Sequence, residues 1–273
     1  MRDMPADAEV VLPPQPRDYH GVNWEGLKTL YLREVRRFLK VGMQTLAAPV
    51  VTALLYMLVF VVAVGGVREV HGVAYGTFVA PGLVMMQILG NAFANSSSSL
   101  LQAKFNGLMG DFMTPPLSPA EHVVGFGMGA ATRGVVVGAI ALLAVLPFAK
   151  LPLAQLWAAV YFGLGAALVM GFIGIMAGLW SEKFDHIAAV TNFVIMPMTF
   201  LSGTFYTVER LPEPFRSISH WIPFFYLIDG FRYGFIGHAE SNLAVGVAMS
   251  GLLTLVMAVA CWRVFKSGWR LKS

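Results

Sequence analysis

The side chains with the capacity for chemistry in this sequence are the few polar ones inside long apolar stretches. Arg133 interrupts an apolar run from 122 to 149, and Asn91, Asn95 and the serines at 96 to 99 form a polar patch in another run. An arginine within a membrane span must reach the polar boundary or face the bundle interior, because its charge is costly in lipid. Asparagine and serine can hydrogen-bond between helices. The patch therefore indicates either contacts between helices or a polar face on a translocation path formed by Asn91, Asn95 and Ser96.

Motifs of enzyme active sites are missing from the sequence. There is no GxxxxGK[ST] phosphate loop, so we do not expect the chain to bind ATP in that way, and there is no HExxH, SxxK or GxSxG motif. The six histidines are scattered, and the single cysteine is Cys261. We therefore expect no catalytic residue, no metal site and no cofactor on this chain, which would not be an enzyme by itself.

The composition defines the medium in which these residues lie. Hydrophobic residues make up 57% of the 273 residues and charged residues 12%, against about 45–50% and about 25% in soluble domains. So few charges cannot cover the surface of a soluble protein of this size. The composition predicts an integral membrane protein and excludes a disordered chain or a disulfide scaffold.

Uncharged stretches set the number of membrane spans. Five stretches of 22 to 34 residues lack Asp, Glu, Lys and Arg, and each is long enough for one spanning helix. The run from 122 to 149 adds a sixth. The stretches Leu54 to Gly66 and Ala167 to Trp180 do not alternate as barrel strands do, so we do not expect a barrel. We predict an all-α polytopic membrane protein with six transmembrane helices. The five stretches lie between Lys40 and Arg68, Glu69 and Lys104, Lys150 and Glu182, Asp185 and Glu209, and Glu240 and Arg263.

Glycine pairs at GxxxG spacing occur in these spans and let helix backbones approach closely. They indicate either packing within one bundle or a dedicated dimer face. The pairs are Gly125 and Gly129, Gly134 and Gly138, and Gly174 and Gly178.

The distribution of lysine and arginine predicts the orientation. With the N-terminus inside, 13 of these residues lie in cytoplasmic segments and 5 in outer loops, as the positive-inside rule requires. Both termini are therefore expected in the cytoplasm, as a flexible segment over 1–23 and a tail over 266–273. The net charge of +4 is accounted for by this orientation, so we expect no nucleic-acid partner.

Residues 24–40 form a predicted amphipathic helix, which we call the interface helix. One face carries Trp24, Leu27, Tyr31, Val35 and Phe38, and basic residues supply the charge. Such a helix lies in the membrane interface over anionic lipid. It serves either as a lipid anchor or also as part of a docking surface for a cytosolic partner. The residues assigned to this surface are Trp24, Tyr31, Arg33, Arg36 and Arg37.

The cytoplasmic segment 102–118 joins spans 2 and 3. We predict a short helix from Lys104 to Met113 with Phe105, Leu108, Met109 and Phe112 near one face, followed by a Pro-Pro break. Next, Ser118 and Glu121 have the spacing of a capping box, with Pro119 at the first helical position. The segment is either a connector or a docking helix for a partner.

The segment 203–238, between spans 5 and 6, is too polar to span and too aromatic for a free loop. From Phe200 to Phe235, 11 of 36 residues are aromatic, and Pro212, Pro214 and Pro223 prevent a long helix. Short helices that dip into the outer leaflet and return account for this pattern. The aromatic residues form either an interfacial belt or the exit of a conduit.

Several of these segments resemble one family. The stretches MPMTFLSGTFY from Met196, LPEPF from Leu211, WIPFFY from Trp221 and DGFRYG from Asp229 resemble the C-terminal signature of type 2 ABC transporter permeases, the membrane subunits of ABC exporters. The resemblance covers about 24–265 and is strongest to the bacterial branch with YadH-like and NodJ-like exporters. The residues that look like its second-span and coupling-helix region are Asn95 with the following serines, Lys104, Gly107, Asp111 and Pro116 to Pro119.

This resemblance implies a half-assembly of an exporter. Two permease copies, expected as a homodimer in the bacterial inner membrane, would sit on two separate ABC ATPase subunits that bind ATP and Mg²⁺. The interface helix would also touch the ATPase, and two short re-entrant helices would precede span 6. The implied ATPase-coupling residues are Lys104, Phe105, Leu108, Met109, Asp111 and Phe112. The implied outer gate comprises Phe200, Phe205, Tyr206, Phe224, Phe225 and Tyr226.

The function expected from the sequence is therefore export of an amphiphilic cargo, such as a lipid-linked glycan, a glycolipid or a drug, with membrane lipid as a further partner. Two alternatives use the same spans without an ATPase. One is an ATP-independent channel or flippase, and the other is a membrane scaffold. A stable association with an ATP-binding protein separates the first function from the other two.

Overall fold

Helices form nearly all of the regular structure in the part of the chain that the structure describes. The computed structural model describes residues 21–65, 69–110 and 116–271. Within these residues the only strands are β1 and β2, two residues each, paired as an antiparallel hairpin. The elements in chain order are α1 Trp24–Lys40, a π-helix Met43–Ala47, α2 Ala48–Met57, a π-helix Leu58–Gly65, β1 Glu69–Val70, β2 Val73–Ala74, α3 Tyr75–Phe105, α4 Pro119–Val145, α5 Leu156–Trp180, α6 Phe184–Val190, a π-helix Thr191–Ile195, α7 Met196–Leu201, a 3-10 helix Val208–Arg210, α8 Phe215–Trp221, α9 Pro223–Ile236 and α10 Leu243–Ser267.

Five helices in the described residues are long and apolar enough to cross a membrane. The pair Trp24–Lys40 and Thr45–Val61, bent by 85°, makes a sixth span if it is taken as one. The prediction of an all-α polytopic membrane protein is confirmed, and the chain is a multi-pass membrane protein. The five helices are α3, α4, α5, α10 and Phe184–Leu201, which we call the fifth span.

The spans alternate in direction, so the bundle has two ends. One end, which we call the α1 end, holds α1, the segment between α3 and α4, and the segment between α5 and α6. The other, which we call the hairpin end, holds β1, β2 and the segment from 202 to 242.

Helix α3 forms the centre of the bundle and packs against both α4 and α5. Glycine makes this contact close, since a methyl group on Gly174 would lie 2.5 Å from the carbonyl oxygen of Phe93, and one on Gly178 would lie 2.8 Å from that of Ser97. The other two GxxxG pairs face α3 at Ile88 and α1 at Leu30 and Glu34. All three pairs therefore make helix contacts within one chain.

The α1 helix has the predicted range and buries one stripe of its surface against the bundle. Its buried residues are Leu30, Glu34 and Phe38, spaced one turn apart. Trp24, the first residue of the predicted apolar face, is 72% exposed. Phe38 of the predicted face belongs to the buried stripe, and α1 packs along α4 with this stripe, which contains Glu34. The predicted contact of the apolar face with the membrane interface stays a prediction.

The segment from 202 to 242 contains the predicted short helices, of which α9 is the most buried. Helix α9 packs against α5, α3 and α10. Gly230 faces Phe162 and Gly234 faces Ala159, so α9 runs antiparallel to the first turns of α5. It therefore enters the bundle from the hairpin end for part of the length of a span.

Candidate functional site

A helix was predicted to begin at Lys104, but in the structure Lys104 still belongs to the preceding span. Lys104 and Phe105 form the last turn of α3, and a turn follows at 106–108, where Gly107 has a φ of +67°. The Lys104 ammonium donates to the carbonyl oxygens of Leu179 and Ser181 at the end of α5. A cation at the C-terminus of a helix is favourable. Lys104 is therefore held at the end of α5.

Two phenylalanines form an exposed pair at the α1 end. Phe105 is 57% exposed and Phe184 is 52% exposed, and their rings stack with centroids 5.4 Å apart. Leu108 is also exposed, whereas Met109 is buried at 2% exposure. Of the predicted coupling residues, Phe105 and Leu108 face outward, and Met109 does not because it belongs to the hydrophobic core. Asp111 and Phe112 lie outside the described residues.

The segment before α4 is tied to the start of α1. The predicted capping box is present, with Ser118 and Glu121 each accepting a bond from the other's backbone NH. The Glu121 carboxylate also accepts from the backbone NH of Asn23, and the Asn23 side chain donates to the carbonyl oxygen of Pro116 at 3.3 Å. The interface helix and the end of segment 102–118 are thus joined by hydrogen bonds.

A second junction joins α1 to the polar patch of α3. The Glu34 carboxylate is fully buried, accepts from the Ser99 hydroxyl at 2.7 Å and from the Asn95 amide at 3.3 Å, and lies 3.4 Å from Arg37. Gly129 on α4 leaves room for it, since a methyl group there would lie 2.5 Å from the Glu34 Cβ. Glu34 was not among the residues predicted from the sequence, although its four-residue spacing from Leu30 and Phe38 places it on the buried stripe.

The arginine neighbour of Glu34 also turns toward α3. Arg37 donates to the backbone and side-chain oxygens of Asn95 at 2.6 and 3.0 Å, and to the Ser98 hydroxyl at 3.1 Å. We call Asn91, Asn95, Ser98 and Ser99 of α3 the polar stripe. Of the other predicted interface residues, Trp24, Arg33 and Arg36 are exposed, and the Tyr31 hydroxyl lies 3.0 Å from that of Thr132.

Arg133 lies at the other end of the polar stripe. Its guanidinium donates to the side-chain oxygen of Asn91 at 3.3 Å, and its Nε is buried without a hydrogen-bond partner. Asn95 and Ser96, predicted for a translocation path, are fully buried, whereas Asn91 is half-buried. Within one chain, the structure brings the polar patch against α1 and α4.

The predicted outer-gate residues fall into two groups. Phe200 and Phe205 cluster with Tyr56 and Phe60 of the first span region, and Phe60 stacks on Phe205 with centroids 4.1 Å apart. Phe224 and Phe225 on α9 are buried in the bundle, at 5% and 1% exposure, and Tyr206 and Tyr226 are half-buried. These side chains pack the hairpin end of the chain.

A buried arginine that sequence analysis did not single out holds the hairpin end together. Arg232 of α9 is 1% exposed and lies over the Phe78 ring at 4.0 Å. It donates to the carbonyl oxygens of Phe78 at 3.2 Å, Gly203 at 2.6 Å and Thr204 at 3.4 Å. Glu240 lies 3.7 Å away as its ionic partner. The sequence signal was the arginine inside DGFRYG.

Two carboxylates complete this group at the hairpin end. Glu240 accepts from the backbone NH of Val208 at 2.8 Å, and Asp229 accepts from the backbone NH groups of Glu240 and Ser241 at 3.0 and 2.8 Å. Burial raises the pKa of Glu240 to about 7, against the opposing effect of Arg232. In the described residues, no three His, Cys, Asp or Glu side chains are arranged to hold a metal ion.

Comparison with known proteins places this architecture in one family. Residues 25–236 match the family model of the ABC-2 type transporter. The chain is 32% identical to the inner membrane transport permease YadH of Escherichia coli strain K12 over 252 residues, 92% of this chain and 98% of that protein. It is 24% identical to nodulation protein J of Rhizobium leguminosarum bv. viciae over 253 residues, 88% of this chain and 91% of that protein. The bundle of apolar helices and these matches agree, and the chain belongs to the ABC-2 type transporter family of membrane permeases.

Proposed function

We propose that the chain is the permease subunit of an ATP-driven ABC exporter in the bacterial inner membrane. It moves an amphiphilic cargo, such as a lipid-linked glycan, a glycolipid or a drug, together with a separate ATPase subunit. Proteins of this family normally work with such a subunit. The match to the ABC-2 type transporter family supports the proposal, as does the name of the YadH relative, an inner membrane transport permease. ATP and Mg²⁺ bind on the partner ATPase.

The observation that carries the proposal is the exposed pair of Phe105 and Phe184 at the α1 end. Two large aromatic side chains, each about half exposed, stack on one another beside the exposed Leu108. Adjoining exposed apolar groups mark a contact with another protein or with the membrane, and at the end of the bundle we assign this contact to a protein partner. With the α1 end in the cytoplasm, this pair is the docking point of the ATPase.

The hydrogen bonds of α1 supply a route for coupling. Segment 102–118 is tied to α1 through Asn23 and Glu121, and α1 is tied to α3 through Glu34 and Arg37. When two ATPases close on ATP, the displacement of the docking segment passes through α1 to the central helix. The spans then alternate between two packings. ATP drives this change because it binds the ATPases with different affinity in the two states.

The fifth span supports a second copy as partner. Only 11% of its apolar window is buried inside the chain, and Asn192 is exposed along it. An amide directed at lipid is unfavourable, whereas a neighbouring protein surface can pair with it. The two copies therefore meet along this span, and the cargo leaves between them.

The test is purification of the chain from native membranes in a gentle detergent, with mass spectrometry of co-eluting proteins and an assay of ATP hydrolysis. We expect a partner with a phosphate-loop motif at a stoichiometric amount. The double variant Phe105→Ala and Phe184→Ala should reduce the amount of bound partner at least about tenfold, because a central aromatic contact often carries 2 kcal/mol or more of binding free energy.

The matched control is Phe148→Ala, an exposed phenylalanine at the hairpin end with 62% exposure. It should retain the partner at the wild-type level. A chain that purifies without an ATPase and is inert toward ATP in several mild detergents contradicts the proposal and favours a channel or a scaffold. Retention of the ATPase by the double variant contradicts the docking point alone.

A further inference from the structure

The charges around the polar stripe do not cancel. Among the residues that the structure describes, the guanidinium groups of Arg37 and Arg133 and the carboxylate of Glu34 lie along it. Glu34 is the ionic partner of Arg37 at 3.4 Å. In the described part of the chain, Arg133 makes no ion pair, and its side-chain hydrogen bond goes to the neutral amide of Asn91. One positive charge is therefore left over, on Arg133.

The leftover charge lies deep in a membrane span. Arg133 is fourteen residues along α4 from Pro119, which corresponds to about 21 Å of helix at 1.5 Å per residue. Asn91 is fourteen residues from the end of α3 at Phe105, so both residues sit near the middle of the bundle. An unpaired arginine at this depth is strongly unfavourable and marks a functional site.

The side chain of Arg133 also has unused hydrogen-bonding capacity. Its Nε is completely buried and has no acceptor within the described structure. The residue as a whole keeps partial exposure, and the Arg37 side chain beside the stripe is 23% exposed. A negatively charged acceptor that reaches the exposed part of the guanidinium would balance the remaining positive charge of Arg133.

We propose that Arg133, with Asn91 beside it, binds the anionic group of an amphiphile at mid-membrane depth. A phosphate or phosphonate group is the probe class chosen, because guanidinium binds such oxygens, like those of a carboxylate, through two parallel hydrogen bonds. The long apolar part of the ligand remains among the apolar side chains of the spans. The site is distinct from the docking pair of Phe105 and Phe184.

The same chemistry has two sources, the headgroup of a resident phospholipid and the anionic group of a transported cargo. We assign the site to cargo, and this assignment rests on the proposed export function. A binding site for the transported molecule must lie within the membrane and be accessible to that molecule. Arg133 lies at mid-membrane depth and is partly exposed. The proposed cargo is thus an anionic amphiphile.

The first experiment measures binding by the purified permease alone. The probe is dodecyl phosphate, added to protein in dodecyl maltoside, and the readout is the shift of the unfolding temperature with probe concentration. The zwitterion dodecylphosphocholine, with the same chain, measures non-specific effects. Arg133→Gln should raise the half-saturating concentration of dodecyl phosphate at least about tenfold, because it removes a charge-assisted hydrogen bond.

Two further variants separate binding from folding. Arg133→Lys keeps the charge without the fork of the guanidinium, so it should recover part of the affinity. Arg263→Gln removes an exposed arginine near the end of α10 and should bind as wild type does. Each variant must elute as the same single species in size-exclusion chromatography. Equal affinity of wild type and Arg133→Gln overturns the site.

The second experiment uses the complex with its ATPase. Stimulation of ATP hydrolysis by dodecyl phosphate in wild type and in Arg263→Gln, and loss of this stimulation in Arg133→Gln, supports the cargo assignment. Binding that depends on Arg133 without any stimulation overturns that assignment and leaves a resident lipid site. Absence of an ATPase contradicts the proposed function, while the binding experiment on the permease alone still decides the site.

Discussion

At the scale of single residues, buried charges define the candidate sites of this chain. Glu34 and Arg232 are buried at 0% and 1% exposure, and each is surrounded by hydrogen-bond partners from other segments of the chain. Such groups stabilise a structure only when their partners are in place, because an unpaired buried charge is strongly destabilising. Arg133 differs from both in having an unpaired Nε.

Glu240 permits a pH prediction, since it lies between α9 and α10 and outside the spans. Burial raises its pKa to about 7, with Arg232 lowering it and Asp229 and Glu209 raising it. The folded state therefore binds this proton more tightly than the unfolded state. Its contribution to stability is fully present below the ordinary pKa near 4.5 and is lost as the pH rises through 7.

The measurement compares unfolding temperatures of wild type and Glu240→Gln from pH 5 to pH 8. The advantage of wild type over this variant should fall as the pH rises, by about 2–4 °C for each kcal/mol lost. Glu213→Gln, at an exposed glutamate of the same segment, is the control and should show no such trend. If the advantage of wild type over Glu240→Gln in unfolding temperature grows as the pH rises, the raised pKa of Glu240 is refuted.

At the scale of elements, close helix contacts depend on glycine. Helix α9 can lie against α5 because Gly230 and Gly234 present no side chain to Phe162 and Ala159. The contact with α5 leaves Arg232 facing Phe78 of α3 on the other side. The position of α9 within the bundle therefore follows from the lack of side chains at Gly230 and Gly234 and from the charged side chain of Arg232.

Gly234→Ala should destabilise the protein by about 1–3 kcal/mol, the usual cost of overpacking. The new methyl group would lie 2.5 Å from the backbone nitrogen of Ala159, which cannot move without shifting α5. The matched control is Gly90→Ala in α3, where the methyl group meets nothing within 4 Å. Heating followed by fluorescence-detected size-exclusion chromatography measures both, and equal loss in the two variants would disprove the close contact.

At the scale of the whole molecule, burial is unequal among the spans. The apolar window of α3 is 89% buried within the chain, whereas those of the fifth span and α10 are each 11% buried. Exposed residues of α10 such as Leu252, Leu255 and Val256 are apolar and suit lipid. The fifth span instead exposes Asn192, which suits contact with another protein.

Asn192→Cys should therefore form a disulfide-linked dimer on mild oxidation in membranes. The native Cys261 is buried, so wild type should remain monomeric on a non-reducing gel. Leu255→Cys, on the exposed face of α10, is the control and should not cross-link. If Leu255→Cys cross-links and Asn192→Cys does not, the second copy contacts α10 and not the fifth span.

Local features of the chain were predictable from sequence, and distant pairings were not. The capping box of Ser118 and Glu121 and the range of α1 depend on residues a few positions apart. The bond between Glu34 and Asn95 joins residues 61 positions apart, and that between Arg232 and Phe78 joins residues 154 positions apart. No spacing rule connects such residues, which explains why Glu34 and Arg232 were missed and why Met109 was assigned to the surface.

The sequence by itself determined that this chain crosses a membrane as helices, since the length and apolar character of each span are properties of contiguous residues. It also determined the family, through motifs read along the chain. Only the tertiary structure decided which polar groups are paired, which aromatic side chains remain exposed, and that Arg133 keeps an unpaired Nε. These outcomes depend on the packing of α1, α3 and α4 against one another, and packing is set by contacts between residues that are far apart in the sequence.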